Sequence, residues 1–339
     1  MVHELHASGS PRPLDEALRA ARPTGRTRLY GPPKLRAIDK SNEVFDLTYF
    51  DPPAGLERHV LALFESKFRT EPVHDRHPGA LGQLFFVVNG RATGHFDCRS
   101  DIVETSPILL NAFDVATPFK AEGPFWCVGA SLSPIGWAAL TQASVYDHRN
   151  RYIPAGELLG DSVDRLQARI RHGRRSGEMT SEEACVELAD WIAQRLSPIP
   201  ETHEALIEKT LAWLGSSLNP AVEELFEGCA YSRRQIERLV QQYFGFAPRG
   251  LARKFRAIRA ANLLAQPDLT DEGEAEIACA FVDQPHMIRE IRRFCGYTPA
   301  RLGGCDDAMF LRLTNMQNLN RFRPYRAVGT DGETDGPPL

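Results

Sequence analysis

A six-residue pattern that occurs twice constrains this chain more than any other feature. Each member of the second copy lies 51 positions after its partner in the first. In both copies a capping residue precedes apolar residues at helical spacing, and a glycine and a proline follow. The pattern predicts two helix-turn-helix units and therefore a DNA-binding segment. The copies are Ser232, Ile236, Arg238, Val240, Gly245 and Pro248, and Asp283, Met287, Arg289, Ile291, Gly296 and Pro299.

The first unit has a polar face suited to reading DNA bases. Apolar residues from Val222 to Cys229 predict an amphipathic positioning helix, and Ser232 is a natural N-cap for the helix that follows. Arginine can form two hydrogen bonds with guanine, and glutamine can address adenine. We therefore interpret the outer face as a recognition surface, with a solvated surface as the alternative. The residues predicted to bind DNA are Ser232, Arg233, Arg234, Glu237, Arg238 and Gln241.

The second unit repeats this arrangement with weaker chemistry. Its recognition helix is predicted to begin near Asp283, which we interpret as a cap rather than a base contact. Pro285 falls in the first turn, where proline is tolerated. The residues predicted to bind DNA in this unit are Gln284, His286, Ile288 and Arg289.

Charge is distributed unevenly along the chain. The whole sequence has a net charge of −4, which does not favour a nucleic-acid binder taken as a whole. Between Tyr231 and Ala265, however, eight basic residues and one acid give a local charge of 8 − 1 = +7. A local patch of this kind is what phosphate binding requires. The linker helix predicted from Pro248 to Gln266 supplies Arg253, Lys254, Arg256 and Arg259, as candidates for phosphate contacts or for salt bridges to the acidic loop that follows.

The N-terminal half has the texture of a β-rich domain. Short apolar runs separated by Gly and Pro follow one another from Glu43 to about Ala130, which indicates a small barrel or sandwich. Leu56, Val60, Leu63 and Phe64 have helical spacing, so we expect an α-helix or a mixed element there. We predict a flexible arm at 1–42, a sensor or dimerisation domain at 43–198, a DNA-binding domain at 203–302 and a tail at 303–339.

Enzyme chemistry has little support in the sequence. The chain has no GxSxG, P-loop, GxGxxG or HExxH motif, so we expect no catalytic residues and no cofactor. His74 and His77 form a loop HxxH without a supporting carboxylate, which is a weak metal signal, and we expect no metal site. The seven cysteines lack CxxC spacing. The sequence also lacks an apolar signal-peptide core and any run long enough to span a membrane, so we expect a cytoplasmic protein.

The two units together resemble the AraC/XylS family of bacterial transcription regulators. The residues that carry this resemblance are "YSRRQIERLVQQYFGFAP", "FRAIRAANLL" and "FVDQPHMIREIRRFCGYTP", within about 100 residues. The resemblance implies a helical domain whose two recognition helices read successive major grooves, about 34 Å apart. It also implies a cupin-like N-terminal domain. Glu276 departs from the family, because it stands where a small packed residue is usual.

These observations predict an α+β, multidomain protein with a β-rich N-terminal domain and an all-α C-terminal domain that holds both units. We expect a sequence-specific transcription regulator, an activator, whose partners are double-stranded DNA, a small-molecule effector, RNA polymerase and a second copy of the chain. Two alternatives stay open. One is a cupin-type metal enzyme, and the other is a protein-interaction module with a degenerate second helix-turn-helix.

Overall fold

Among the residues that the computed structural model describes, 35–39, 41, 45–69, 72–97, 99–265 and 269–302, nine strands form one antiparallel sheet. The strand order is β1-β2-β3-β8-β5-β7-β9, with β4 paired to β8 and β6 paired to β5. The long strands β5 and β8 therefore form the centre of the sheet. The strands are β1 Ala37–Asp39, β2 Phe45–Phe50, β3 Val60–Phe68, β4 Val73–His77, β5 Gly82–Phe96, β6 Arg99–Val103, β7 Ile108–Leu110, β8 Thr117–Leu132 and β9 Ile153–Pro154.

Helices follow the sheet and make up the C-terminal part of the described chain. The first four pack around the strands, and the rest form the helix-turn-helix region. The α+β architecture predicted from the sequence is confirmed. The helices are α1 Pro134–Thr141, α2 Gly156–Leu159, α3 Ser162–Ser176, α4 Ser181–Ala193, α5 Glu201–Ser216, α6 Val222–Phe226, α7 Arg233–Phe244, α8 Pro248–Leu264, α9 Asp271–Ala280, α10 Gln284–Cys295 and α11 Pro299–Leu302.

The helix that we predicted around Val60 to Phe64 is wrong, because this stretch lies within strand β3. Both faces of β3 are buried. Phe64 joins the apolar cluster that lines the inside of the sheet, whereas Leu63 joins the cluster that contains the side chains of α3 and α4. A strand covered on both sides has no polar face, so its sequence loses the alternation that identifies strands.

Several other boundaries differ from the prediction. His74 and His77 lie on strand β4 rather than in a loop. Strand β1 lies within the stretch predicted as an arm, while residues 1–34 and the predicted tail at 303–339 lie outside the described residues. The positioning helix of the first unit ends at Phe226, so Cys229 falls beyond it. No helix in the described ranges is long and apolar enough to cross a membrane.

Candidate nucleic-acid interface

Helices α7 and α10 are matched in length and in both caps. Each has 12 residues, and the second is offset by the same 51 positions as the sequence pattern. Ser232 and Gln235 cap α7 reciprocally, with the Ser232 N–H donating to Gln235 Oε1 at 2.9 Å. Asp283 Oδ1 accepts the His286 N–H at 2.6 Å at the start of α10. Both helices end in a glycine whose backbone is left-handed, a conformation that no other residue adopts as readily.

The predicted DNA-binding residues of α7 lie mainly at the surface. Ser232, Arg233, Arg234 and Arg238 are exposed, and Glu237 and Gln241 are half-buried. Arg233 is already engaged, because its Nε lies 3.4 Å from Glu237 Oε1 and its guanidinium lies 4.5 Å from the Phe226 ring centre. In the part of the chain that the structure describes, Arg234 and Arg238 form no hydrogen bond or ion pair through their side chains. These two arginines are therefore available to a ligand.

The predicted residues of α10 divide into outward and inward sets. Gln284 and Arg289 are exposed, whereas His286 and Ile288 are half-buried. His286 turns toward the protein, with Nε2 3.3 Å from Glu290 Oε1 and its ring against the edge of Phe281. Only Gln284 and Arg289 of the predicted set thus present a fully exposed side chain.

The basic linker helix α8 is largely removed from the surface. Lys254, Arg256 and Arg259 are 1%, 9% and 2% exposed. Arg259 Nη1 donates to the Leu214 carbonyl at 3.0 Å, and burial lowers the pKa of its guanidinium. The prediction that these three residues bind phosphate is wrong, because their charged ends are occupied inside the protein. Three of the eight basic residues behind the local charge of +7 therefore lie inside the protein.

Sequence analysis missed Glu290, which organises the second unit. Its carboxylate is 2% exposed and accepts from Arg253 Nε at 2.7 Å and from Arg256 Nη2 at 2.5 Å. Burial works to raise the pKa of Glu290, but hydrogen bonds and charge from Arg256 and Arg253 outweigh burial and hold that pKa below its ordinary value. An acid at an inward-facing helix position was the available signal.

Glu276, the acid that departs from the family pattern, is half-exposed. Its Oε1 accepts the Leu218 N–H at 3.3 Å, so it lies at the edge of the helix packing rather than within it. The second positioning helix α9 therefore accommodates this carboxylate without burying it.

The C-terminal ends of both recognition helices abut the β-domain. The Val145 N–H donates to the Gln242 carbonyl at 2.7 Å, and the Ala116 N–H donates to the Arg293 carbonyl at 2.8 Å. A methyl group built on Gly245 would lie 2.7 Å from the Ala112 Cβ, so the end of α7 and the segment around Ala112 are in close contact. The N-terminal halves of α7 and α10 consequently point away from the β-domain.

Lys254 joins the linker helix α8 to the β-domain, in addition to the contacts at the ends of α7 and α10. Its Nζ donates to the carbonyls of Gly79 and Phe113 at 2.5 and 2.7 Å. Burial lowers the pKa of Lys254 to about 7, while the charges of Asp114 and Cys295 act in the opposite direction. The amine is thus a buried interdomain hydrogen-bond donor.

A cavity of about 100 Å³ lies inside the β-domain beside this contact. Its wall includes Tyr152 and His77, whose rings lie 6.4 and 5.7 Å from the ring of Phe113. Burial, and then the charge of Lys254, lower the pKa of His77 to about 4, so its imidazole is neutral near pH 7. Among the described residues no three His, Cys, Asp or Glu side chains are grouped as metal ligands.

A helix-turn-helix domain family matches residues 227–303, which include both recognition helices. This match supports the resemblance of the C-terminal domain to the AraC/XylS family. It agrees with the geometry, since the matched residues include both capped helices and the linker between them.

Curated relatives carry the same kind of name. The transcriptional regulator GbdR of Pseudomonas aeruginosa is 27% identical over 198 residues, which are 56% of this chain and 52% of GbdR. The transcriptional activator RhaS of Escherichia fergusonii is 29% identical over 112 residues, which are 32% of this chain and 39% of RhaS. The chain thus spans about half or less of the length of these relatives. Among solved structures, ToxT from Vibrio cholerae is 10% identical, with a TM-score of 0.41, over 78% of this chain and all of ToxT.

Proposed function

We propose that this protein is a sequence-specific DNA-binding transcription regulator. One observation carries the proposal. Two capped helices at matched positions point their N-terminal halves outward, with unpartnered Arg234, Arg238 and Arg289 on those halves, while their C-terminal ends rest on the β-domain. Recognition helices of helix-turn-helix proteins enter the major groove with their N-terminal residues toward the bases.

Arg234 and Arg238 are the proposed principal base-reading residues. They are four positions apart on α7, so both side chains project from one side of the helix. Each can pair bidentately with guanine, which contributes about 1–3 kcal/mol of discrimination against a wrong base. Gln241 follows on the same face, and Gln284 and Arg289 of α10 are the proposed second set of base contacts.

The proposed phosphate-binding capacity is smaller than the basic linker implies. In the described part of the helix-turn-helix domain, five exposed arginines form no hydrogen bond, ion pair or contact with an aromatic ring through their side chains. If all five meet DNA, log K should fall with log[salt] with a slope of about −4 to −5. A patch that used all eight basic residues from Tyr231 to Ala265 would give a slope of about −7. The five are Arg234, Arg238, Arg249, Arg289 and Arg292.

Selection of binding sites from random duplex DNA, followed by affinity measurement against salt, tests this function. Wild-type protein should select one motif, and Arg234→Ala/Arg238→Ala should lose that selection. Arg165→Ala/Arg175→Ala is the matched control, since it removes two exposed arginines from α3. Retention of the same motif by the α7 variant would remove the assignment of the recognition helix. A salt slope near zero would favour a protein-interaction module.

The cavity in the β-domain is the proposed site for a small-molecule effector. Its wall contacts Phe113, and the Phe113 carbonyl accepts from Lys254 of the linker helix. A ligand that moved this wall would therefore change how the linker helix α8 packs against the β-domain. DNA affinity measured in Lys254→Met, with and without effector, tests this route, because the coupling should be lost while intrinsic DNA binding persists.

We also propose that the protein acts as a cytoplasmic homodimer that activates transcription by contact with RNA polymerase. The activator name of RhaS supports the direction of the effect. A promoter reporter, together with sedimentation of the purified protein, checks both points. Repression of the reporter, or a monomer that binds DNA with full affinity, would contradict them.

A further inference from the structure

We propose that the β-domain cavity binds a neutral, largely apolar molecule of about the size of one aromatic ring, through a hydrogen bond to Ser66. The inference rests on the proposed effector function, because it names the chemical class that this cavity would accept. It depends on three properties of the cavity, namely its size, the absence of charge on its described walls and a buried hydroxyl that lacks a partner.

The alternation of strand side chains produces an apolar enclosure. Phe64, Ser66 and Phe68 of β3 alternate toward the cavity, and Cys127, which pairs with Ser66 across the sheet, faces the same side. The volume of this partly open cavity is about 100 Å³. An apolar protein cavity of roughly 150 Å³ is known to bind benzene, so the space corresponds to a single-ring compound.

Charged groups near the cavity are all turned away from it or occupied. Glu65 lies between two lining residues but points to the other face of β3, where Arg174 Nε donates to it at 2.7 Å. Lys254 is held by two backbone carbonyls. None of the described lining residues carries a permanent charge, and His77 accepts the Gly79 N–H at 3.0 Å through Nδ1. A charged ligand would be desolvated there without a counter-charge, which costs far more than burial of a neutral one.

Ser66 is a lining residue whose hydroxyl is available for a hydrogen bond to a ligand. It is 6% exposed, and its Oγ has no hydrogen-bond partner among the described residues. A buried hydroxyl without a hydrogen-bond partner is unfavourable, so native proteins rarely keep one unless another molecule completes it. A hydroxyl or carbonyl group on a single-ring ligand would satisfy Ser66 while the ring contacts the aromatic wall.

Calorimetric titration of the full chain without DNA tests the inference. The probes are benzyl alcohol, toluene, benzoate and benzylamine at pH 7.5, which share one ring and differ in charge and hydrogen bonding. Benzyl alcohol should bind at least about tenfold more tightly than benzoate or protonated benzylamine, since the cavity offers neither ion a partner. Ser66→Ala should weaken benzyl alcohol about fivefold, the typical worth of one hydrogen bond, and leave toluene unchanged.

The toluene measurement separates loss of a hydrogen bond from general damage to the cavity. A Ser66→Leu variant, which fills the space, should abolish binding of both compounds while far-UV circular dichroism stays native. Tighter binding of benzoate or benzylamine than of benzyl alcohol would overturn the neutral class but leave an effector site in place. Failure of all four probes to bind, in protein that still selects its DNA motif, would overturn the inference without touching the DNA-binding function.

Discussion

The two helix-turn-helix units have the same backbone plan and are stabilised by different chemistry. Helices α7 and α10 match in length, in caps and in their 51-residue offset. At one matched inward position, however, α7 has the apolar Leu239 and α10 has the buried carboxylate Glu290. The first unit is held by apolar packing, and the second is held by an ionic cluster with Arg253 and Arg256.

This difference decides which arginines are left for DNA. The cluster around Glu290 engages two basic residues of the linker helix, the buried Arg256 and the exposed Arg253, so both guanidinium groups already have a partner. At the outer positions, Arg234 of the first unit is matched by Pro285 in the second. The N-terminal half of α7 therefore presents two arginines four positions apart, whereas the N-terminal half of α10 presents Arg289 alone. A repeated scaffold does not imply repeated recognition.

The largest expected effect comes from breaking the ionic cluster. Glu290→Ala leaves the buried guanidinium of Arg256 without its carboxylate, so the free energy of unfolding should fall by about 3–5 kcal/mol. Arg256→Met in the same chain should restore part of that loss, because the two residues are coupled. Urea denaturation of the single and double variants measures both quantities.

Leu239→Ala is the matched change in the first unit. It should cost about 2–5 kcal/mol through the cavity it leaves, and Arg256→Met should not restore any of it. Additive losses for Glu290→Ala and Arg256→Met would show that the second unit does not depend on the ion pair.

A pH-dependent effect is expected at the Lys254 contact between the units and the β-domain. The pKa of Lys254 is about 7 in the folded protein, against an ordinary value of 10.5. Between these values the unfolded chain binds more protons at this amine, so its contribution to the free energy of unfolding should rise with pH, by up to about 1 kcal/mol per pH unit.

The measurement is the difference in stability between wild-type protein and Lys254→Met from pH 7 to 8.5. Taking the difference removes the contributions of titrating groups that do not interact with Lys254, such as the buried thiol Cys127, whose pKa burial raises. The free energy of unfolding of wild type relative to that of Lys254→Met should increase as pH rises. A difference that is flat, or that falls with pH, would contradict a neutralised lysine at this contact.

A smaller effect should distinguish how tightly each recognition helix meets the β-domain. Alanine at Gly245 or Gly296 costs about 1–2 kcal/mol, because both positions have φ values of 80° or more. Gly245→Ala should cost more than this, since its methyl group would meet the Cβ of the buried Ala112 at 2.7 Å. The methyl group of Gly296→Ala would lie closer still to Arg76 Cδ, but the exposed Arg76 side chain can move away. Thermal unfolding of the two variants gives the comparison, and equal shifts would argue against a more rigid contact at the first helix.

The sequence alone predicted the structure correctly where that structure depends on residues close together in the chain. The caps at Ser232 and Asp283 and the closing glycines predicted both recognition helices, since helix ends are determined by neighbouring residues. The exposed positions of Arg234 and Arg238 also followed from helical periodicity. The β-rich character of the first domain came from short runs between turn residues.

The sequence was insufficient where burial depends on distant partners. The carbonyls that hold Lys254 belong to residues 175 and 141 positions away, so its location in a basic stretch suggested a surface charge instead. Glu290 was missed for a similar reason, because its partners lie on another helix. Strand β3 was misread because both of its faces are covered, which leaves no period to detect.

The most direct test of unequal recognition is a comparison of Arg238→Ala with Arg289→Ala, which occupy matched positions 51 residues apart. Each purified variant would be taken through binding-site selection and titrated against the wild-type motif at fixed salt. We predict that Arg238→Ala relaxes the preference at one base pair and weakens specific binding by about 1–3 kcal/mol, and that Arg289→Ala has a smaller effect. An equal or larger loss of base preference in Arg289→Ala would contradict the account.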